Sequence, residues 1–365
     1  MNTKEQFIKY SKKLSTIEHG KDGPTPISLV EEMLDKLPID WSNPNLKILE
    51  PCFGFGTFLY FAYLRLLKYH DETHILDNML YGIEMEPFRY QLTKNILKFK
   101  NLYLGDTLNP TNKLEEILNM KFDVILGNPP YENSKHKAKK DSLWKKFILK
   151  SDGLLNKNGI LTFVIPASFT SPTKLFNGLK NRLSYIDLTP KKYFKGVGST
   201  FCYIILNKDI QKKCKITSNQ GKVTVNLDEF NSIPSQISKE ILEISKKVFK
   251  GERKWNLSTE YHTQTFSDFI DNGKYEVIHS TVTKRTNTLH DNNKKIRVHI
   301  SVTNNTKFDV CVNKGLTQNH IWTEFDNLKD AKKYCKYLNE SEDVQKILNL
   351  YRYSNMNYKH IISKL

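Results

Sequence analysis

The chain has 365 residues, 39% of them hydrophobic, 12% aromatic and 26% charged, which excludes a disordered polypeptide and allows two domains of ordinary size. Lys and Arg number 56 against 39 acidic residues, a net charge of +17. An excess of that size points to a polyanionic partner, above all nucleic acid, with a solvated lysine-rich surface as the alternative.

The opening stretch, MNTKEQFIKYSKKL, is charged every few residues. It has no apolar core of the kind a secretory signal needs, and no later run approaches the roughly 18 apolar residues of a membrane span. A cytoplasmic protein without a membrane partner is expected. From about residue 45 to 207, short apolar runs alternate with helical stretches. LKILE ending at Glu50, MLYGIE (79–84), NLYLGD (101–106), FDVILGN (122–128), ILTFVIP (160–166) and FCYIILN (201–207) read as buried strands. TFLYFAYLRLLKY (57–69) and LWKKFILKSDGLL (143–155) read as helices, the second with Leu143 and Phe147 on one face. This alternation predicts an α/β fold with a mostly parallel, doubly wound sheet and ligands at its carboxyl edge.

After about residue 208 the composition shifts to Thr, Asn, Lys and His, with strand-like KYEVIHSTV (274–282) and KIRVHISV (295–302). Two helical faces follow, Leu328/Ala331/Cys335/Leu338 and Val344/Ile347/Leu348/Tyr351, separated by Ser341-Glu342-Asp343, which resembles a helix N-terminus. Residues 1–210, with 1–24 as an arm, carry 30 basic and 22 acidic side chains; residues 211–365 carry 26 and 17 and form the second domain. The five cysteines (Cys52, Cys202, Cys214, Cys311, Cys335) lack metal-ligand spacing and the ten histidines are scattered, so reduced thiols and no metal are expected.

Four strand ends carry chemistry. In LEPCFGFGTF (49–58), Glu50 ends a strand and Gly54 and Gly56 follow in a loop where a ligand can lie against the backbone. A third glycine of the dinucleotide fingerprint would fall at Leu59, which disfavours a nicotinamide or flavin enzyme. In YGIEMEP (81–87), Glu84 can accept from both hydroxyls of a ribose. In GDTL (105–108), Asp106 can accept from an exocyclic amine of a purine. The decisive stretch is ILGNPPYE (125–132). Two prolines lock its backbone and remove two donors, leaving the Asn128 side-chain oxygen and the Pro129 carbonyl as rigid acceptors for a planar amino group. Tyr131 offers a face for a base to stack on.

This set resembles the S-adenosylmethionine-dependent amino-methyltransferases, specifically the gamma-order adenine-N6 DNA methylases of the TaqI type, over about residues 20–207. The resemblance implies a Rossmann-like class I fold with a mixed seven-stranded sheet and a C-terminal α+β target-recognition domain. It also implies S-adenosylmethionine as cofactor, double-stranded DNA as partner, and a separate cognate restriction endonuclease as a further one, with a monomer favoured. Carried onto this chain, Thr25 in GPTPISLVEEML (23–34) reaches the methionine end of the cofactor. Glu50, Pro51, Cys52, Gly54 and Gly56 form the glycine-loop motif. Glu84 binds ribose, Met85 and Thr107 border the adenine ring, and Asp106 takes its amine. Asn128 and Pro130 also border the cofactor, and Phe147 lines its pocket. The catalytic set is Asn128, Pro129, Pro130, Tyr131 and Phe194; Phe194, in KKYFKGVGSTFCYIIL (191–206), stacks on the far face of an extruded base, with Tyr193 as its competitor.

Two features depart from the family pattern. Glu50 and Glu84 stand 34 positions apart, so HDETHILDNM (70–79) reads as an extra loop, and KHKAKK (135–140) is an insertion that either contacts phosphate or is a solvated loop. Basic residues interleaved with aromatics and amides at 284–297 and 351–360 suit phosphate and groove contacts. Methylation of RNA adenine, or a catalytically inactive DNA-binding module, are the alternative readings.

Overall fold

The computed structural model describes residues 24–131, 142–194, 200–249, 253–260, 269–289, 294–303, 306–351, 357 and 359–365. The arm before residue 24, the KHKAKK run and parts of 284–297 and 351–360 lie outside the described residues. The chain divides between Asn231 and Ser232 into two compact units.

The first unit is built on one sheet. Its strands are β1 (Ile48–Glu50), β2 (Leu80–Glu84), β3 (Asn101–Leu104), β4 (Phe122–Gly127), β5 (Leu155–Pro166), β6 (Leu183–Asp187), β7 (Phe201–Asn207), β8 (Cys214–Ser218) and β9 (Gly221–Val225). The order is β3-β2-β1-β4-β5-β7-β6-β8-β9. Strands β1 to β5 run parallel, and β7 is antiparallel to both β5 and β6. Every residue of β1 and β2 is buried, as a parallel sheet covered on both faces requires. The helix Thr57–Leu66 is apolar nearly all round and buries Phe58, Leu59, Tyr60 and Phe61.

Nine strands replace the expected seven. The first seven in the order hold the pattern 3-2-1-4-5-7-6, and the β8–β9 hairpin extends it by pairing β8 parallel to β6. Cys214, Ile216 and Ser218 alternate inward along β8, and the hairpin carries the first compact unit to Asn231 rather than residue 210. Residues 72–79 are not a loop either. A helical turn, Glu72–His74, is capped by the Asp71 carboxylate and runs into a wider turn, Ile75–Met79, which buries Ile75 and Met79. On the helix Leu143–Leu154 the inward face is Trp144, Phe147, Ile148 and Ser151, with Leu143 only half-buried.

The second unit holds β10 (Asn256–Leu257), β11 (Tyr275–His279), β12 (Val282–Thr286), β13 (Ile296–Ser301), β14 (Asp309–Val312), β15 (Gly315–Leu316) and β16 (His320–Phe325). They form a four-stranded sheet, β10-β16-β13-β14, and a three-stranded sheet, β12-β11-β15. Val298, Ile300, Ile321 and Phe325 join Trp255 and Phe308 in a core covered by the helices Lys239–Val248, Leu328–Glu340 and Glu342–Leu350. Ser341 caps the last of these, accepting from the Val344 N–H. Ala331, Cys335 and Leu338 face this core, whereas Leu328, next to the Asn327 cap, is 39% exposed.

Candidate active site

The order of the sheet sets four loops side by side. The carboxyl ends of β3, β2, β1 and β4 are neighbours, and they lead into Asp106, Glu84, Glu50 and Asn128. The parallel strands reverse direction of build between β1 and β4, which is where open α/β sheets bind ligands.

Glu50 is 2% exposed, and its Oε2 accepts from the Leu59 N–H at 3.2 Å, at the start of the helix Thr57–Leu66. Burial, with the neighbouring Glu84 charge adding to it, holds the Glu50 carboxyl well above the usual carboxylate range. Glu84 is also buried. Its Oε2 accepts from the Gly54 N–H and its Oε1 from the Glu86 N–H, both at 2.8 Å. Burial raises its pKa too, against the opposing effect of these hydrogen bonds. The Met85 N–H adds a third backbone bond, which leaves one of the carboxylate's acceptor sites for a ligand hydroxyl.

The loop between β1 and its helix depends on glycine twice. Gly56 caps the helix with φ +72°, and a Cβ there would come within 2.6 Å of Leu97. Gly54, at φ +54°, faces open space: a Cβ there would meet no atom within 4 Å. Thr93 Oγ1 donates to the Gly54 carbonyl at 3.1 Å, and Thr107 Oγ1 donates to the Pro51 carbonyl at 2.5 Å, tying the loops after β1 and β3 together. Cys52, half-buried, has its thiol pKa pushed up by burial and by Glu50 and Glu84. Asp106 accepts from the Leu108 N–H and from Asn109 Nδ2, both at 2.8 Å. Met85 is 60% exposed beside Glu84, whereas Phe147 is buried on the inner face of its helix.

After β4, Asn128 bonds at both ends of its amide. Nδ2 donates to Thr25 Oγ1 at 3.2 Å, and Oδ1 accepts from the Tyr131 hydroxyl at 2.8 Å. Tyr131 and Phe194 both rest on Phe201, with ring centroids 5.4 and 4.8 Å apart. Phe201, the first residue of β7, escaped the sequence reading; an aromatic opening a strand that follows the stacking motif was the available signal. Tyr193 is engaged elsewhere, since its hydroxyl donates to Glu32 Oε2 at 2.5 Å while Tyr203 donates to Glu32 Oε1 at 2.9 Å. Burial pushes the Glu32 pKa up, but these two bonds and Lys192 outweigh it and lower it. Glu32 carried no sequence signal.

Sheet order and strand-end residues together are those expected of a class I S-adenosylmethionine-dependent methyltransferase fold. The cofactor fits on the chemistry of its donors: a deeply buried carboxyl, Glu50, suits a cationic ligand, Glu84 retains an acceptor site for a ribose hydroxyl, and the side of Gly54 is open among the described residues.

Residues 72–209 match the Eco57I restriction-modification methylase family. An "Uncharacterized adenine-specific methylase" of Mycoplasma pneumoniae is 25% identical, over 63% of this chain and 77% of its own length. The type II methyltransferase M.VspI of Vibrio sp. (strain 343) is 27% identical, over 68% of this chain and 67% of its own length. A nuclease-deletion mutant of the Type ISP restriction-modification enzyme LlaGI, solved with a DNA substrate mimic, shares the fold with a TM-score of 0.55 and 13% identity, over 91% of this chain and 52% of that one. Residues 72–209 thus resemble a restriction-modification methylase domain, and the chain is an S-adenosylmethionine-dependent methyltransferase. Among the described residues no helix is long and apolar enough to cross a membrane.

Proposed function

We propose that the protein methylates the N6 amine of adenine at a specific site in duplex DNA. The observation that carries this reading is the rigid Asn128-Pro129-Pro130-Tyr131 loop at the end of β4, beside the Glu50 and Glu84 strand ends. Bound S-adenosylmethionine supplies the methyl group. A base inside the duplex cannot reach this loop, so it is extruded, at a cost of a few kcal/mol. Tyr131 and Phe194 then hold its two faces, and base–aromatic stacking of about 1–3 kcal/mol per ring offsets much of that cost. Asn128 Oδ1 and the Pro129 carbonyl accept the two amine protons and turn the nitrogen lone pair toward the methyl donor. Positioning in a site closed to water carries the rate, with no strong general base.

The second unit is read as the target-recognition domain. It contains a cleft of about 480 Å³ lined by Arg253, Lys254, Lys295, Trp322 and Glu324, with Lys295 paired to Glu324 and three cations beside an aromatic face. Phosphate contacts of this kind make binding fall steeply with salt. On this reading the enzyme acts as a cytoplasmic monomer and is the modification half of a pair with a separate endonuclease. Incubation with methyl-labelled S-adenosylmethionine and either duplex DNA or RNA tests the reaction. Label recovered as N6-methyladenine from duplex DNA supports it. Label in RNA alone, or in cytosine, overturns it.

A further inference from the structure

Thr25 is held by the chain on both sides. It stands between Pro24 and Pro26, whose rings fix the backbone on both sides, and Pro26 caps the helix Ile27–Asp35 at φ −55° and ψ 130°. Its side chain is 9% exposed. Thr25 lies 103 positions before Asn128, yet its Oγ1 receives the Asn128 Nδ2 proton at 3.2 Å.

The Asn128 amide has two protons on nitrogen and two lone pairs on oxygen. One proton is placed on Thr25 and one lone pair takes the Tyr131 hydroxyl proton. That leaves one lone pair on Oδ1, which is what an incoming amine needs. Rotating the amide by half a turn would present Nδ2 to that amine, donor against donor. We propose that Thr25 is a positioning residue for methyl transfer. Its hydroxyl oxygen anchors Nδ2 and thereby keeps Oδ1 turned toward the substrate amine. The inference rests on the adenine-methylation reading above and adds to it a task for Thr25 distinct from gripping the cofactor. Two proline-locked segments, Pro24-Thr25-Pro26 and Asn128-Pro129-Pro130, then meet through a single hydrogen bond and make the acceptor rigid.

The test compares wild type with Thr25→Val, which keeps the shape and removes the acceptor, and with Thr25→Ser, which restores it. Initial rates are measured on plasmid DNA, cofactor Kd by calorimetry on the protein without DNA, and folding by thermal melting. The expected result for Thr25→Val is a kcat about tenfold lower, as for loss of one hydrogen bond made by the reacting arrangement, with cofactor Kd changed less than about threefold. Thr25→Ser is expected to recover most of the rate. An unchanged kcat overturns the proposal. So does a tenfold or greater rise in cofactor Kd, which assigns Thr25 to cofactor grip, or a Thr25→Ser variant as slow as Thr25→Val. Absence of methyl transfer by the wild type on DNA removes the adenine-methylation reading itself and this role with it.

Discussion

The main-chain N–H of Gly54 donates to the Glu84 carboxylate at 2.8 Å, joining the loop after β1 to the end of β2. Because Gly54 sits at φ +54° with open space where a Cβ would be, the loop can turn its N–H onto the acid and leave room beside it. The acid is buried and its pKa raised, and this bond, together with main-chain bonds from Glu86 and Met85, keeps a desolvated carboxyl satisfied while one acceptor site is left for a ligand.

Glu84→Ala is therefore expected to weaken S-adenosylmethionine binding by about 10- to 100-fold, the range for losing charged hydrogen bonds of about 1.5–3 kcal/mol. Calorimetric titration of the variant measures it directly. An unchanged Kd removes Glu84 from the cofactor site.

The two loop glycines should separate strain from crowding. Gly54→Ala meets only the cost of a left-handed backbone, about 1 kcal/mol. Gly56→Ala adds overlap, since its Cβ would lie 2.6 Å from Leu97 and 2.8 Å from Thr93. The expected loss there is about 2–4 kcal/mol. Urea unfolding of both variants should rank them in that order.

In the second unit, Arg297 is fully buried and its guanidinium donates to the equally enclosed Glu260 carboxylate and to the Lys314 carbonyl. Arg297→Met leaves that carboxylate without its cation and is expected to destabilise the unit by about 3–5 kcal/mol. Arg297→Met combined with Glu260→Leu should recover a substantial part of the loss. Denaturant melts of the single and double variants show whether it does.

His299 is 5% exposed, and neither ring nitrogen has a hydrogen-bond partner among the described residues. Burial, with His320 and Arg297 adding their effect, lowers its pKa to about 3. The folded state therefore binds fewer protons than the unfolded state, in which the histidine titrates near 6.5. Stability is retained above about pH 6.5 and declines as pH falls below it, with a slope approaching 1.4 kcal/mol per pH unit from this group. Melting curves between pH 7 and 4.5 should show the decline, and His299→Leu should reduce its slope.

Legibility in the sequence followed the physics of each element. The strand ends at Glu50, Glu84 and Asn128 are legible because parallel strands buried on both faces read as continuous apolar runs with an abrupt polar stop, and Asp106 is legible as the polar stop after the edge strand β3. β6 and the β8–β9 hairpin were not, since LSYID and CKITS are short and half-polar and their pairing to the sheet edge is decided by tertiary contact. Residues 70–79 read as a loop because Asp71, Glu72, Asp77 and Asn78 hide the spacing of Ile75 and Met79, which are buried in the core with Leu76 packed against it. The contacts of Thr25 with Asn128 and of Phe201 with Tyr131 join positions far apart in the chain, and no local pattern encodes them.

The central claim is tested most directly by single-molecule sequencing of plasmid DNA from cells expressing this chain, alongside an Asn128→Ala control. N6-methyladenine at one short motif, absent from the control, is the predicted result. Modification that persists in the Asn128→Ala control, or unmodified DNA from cells making folded wild-type protein, would contradict the account.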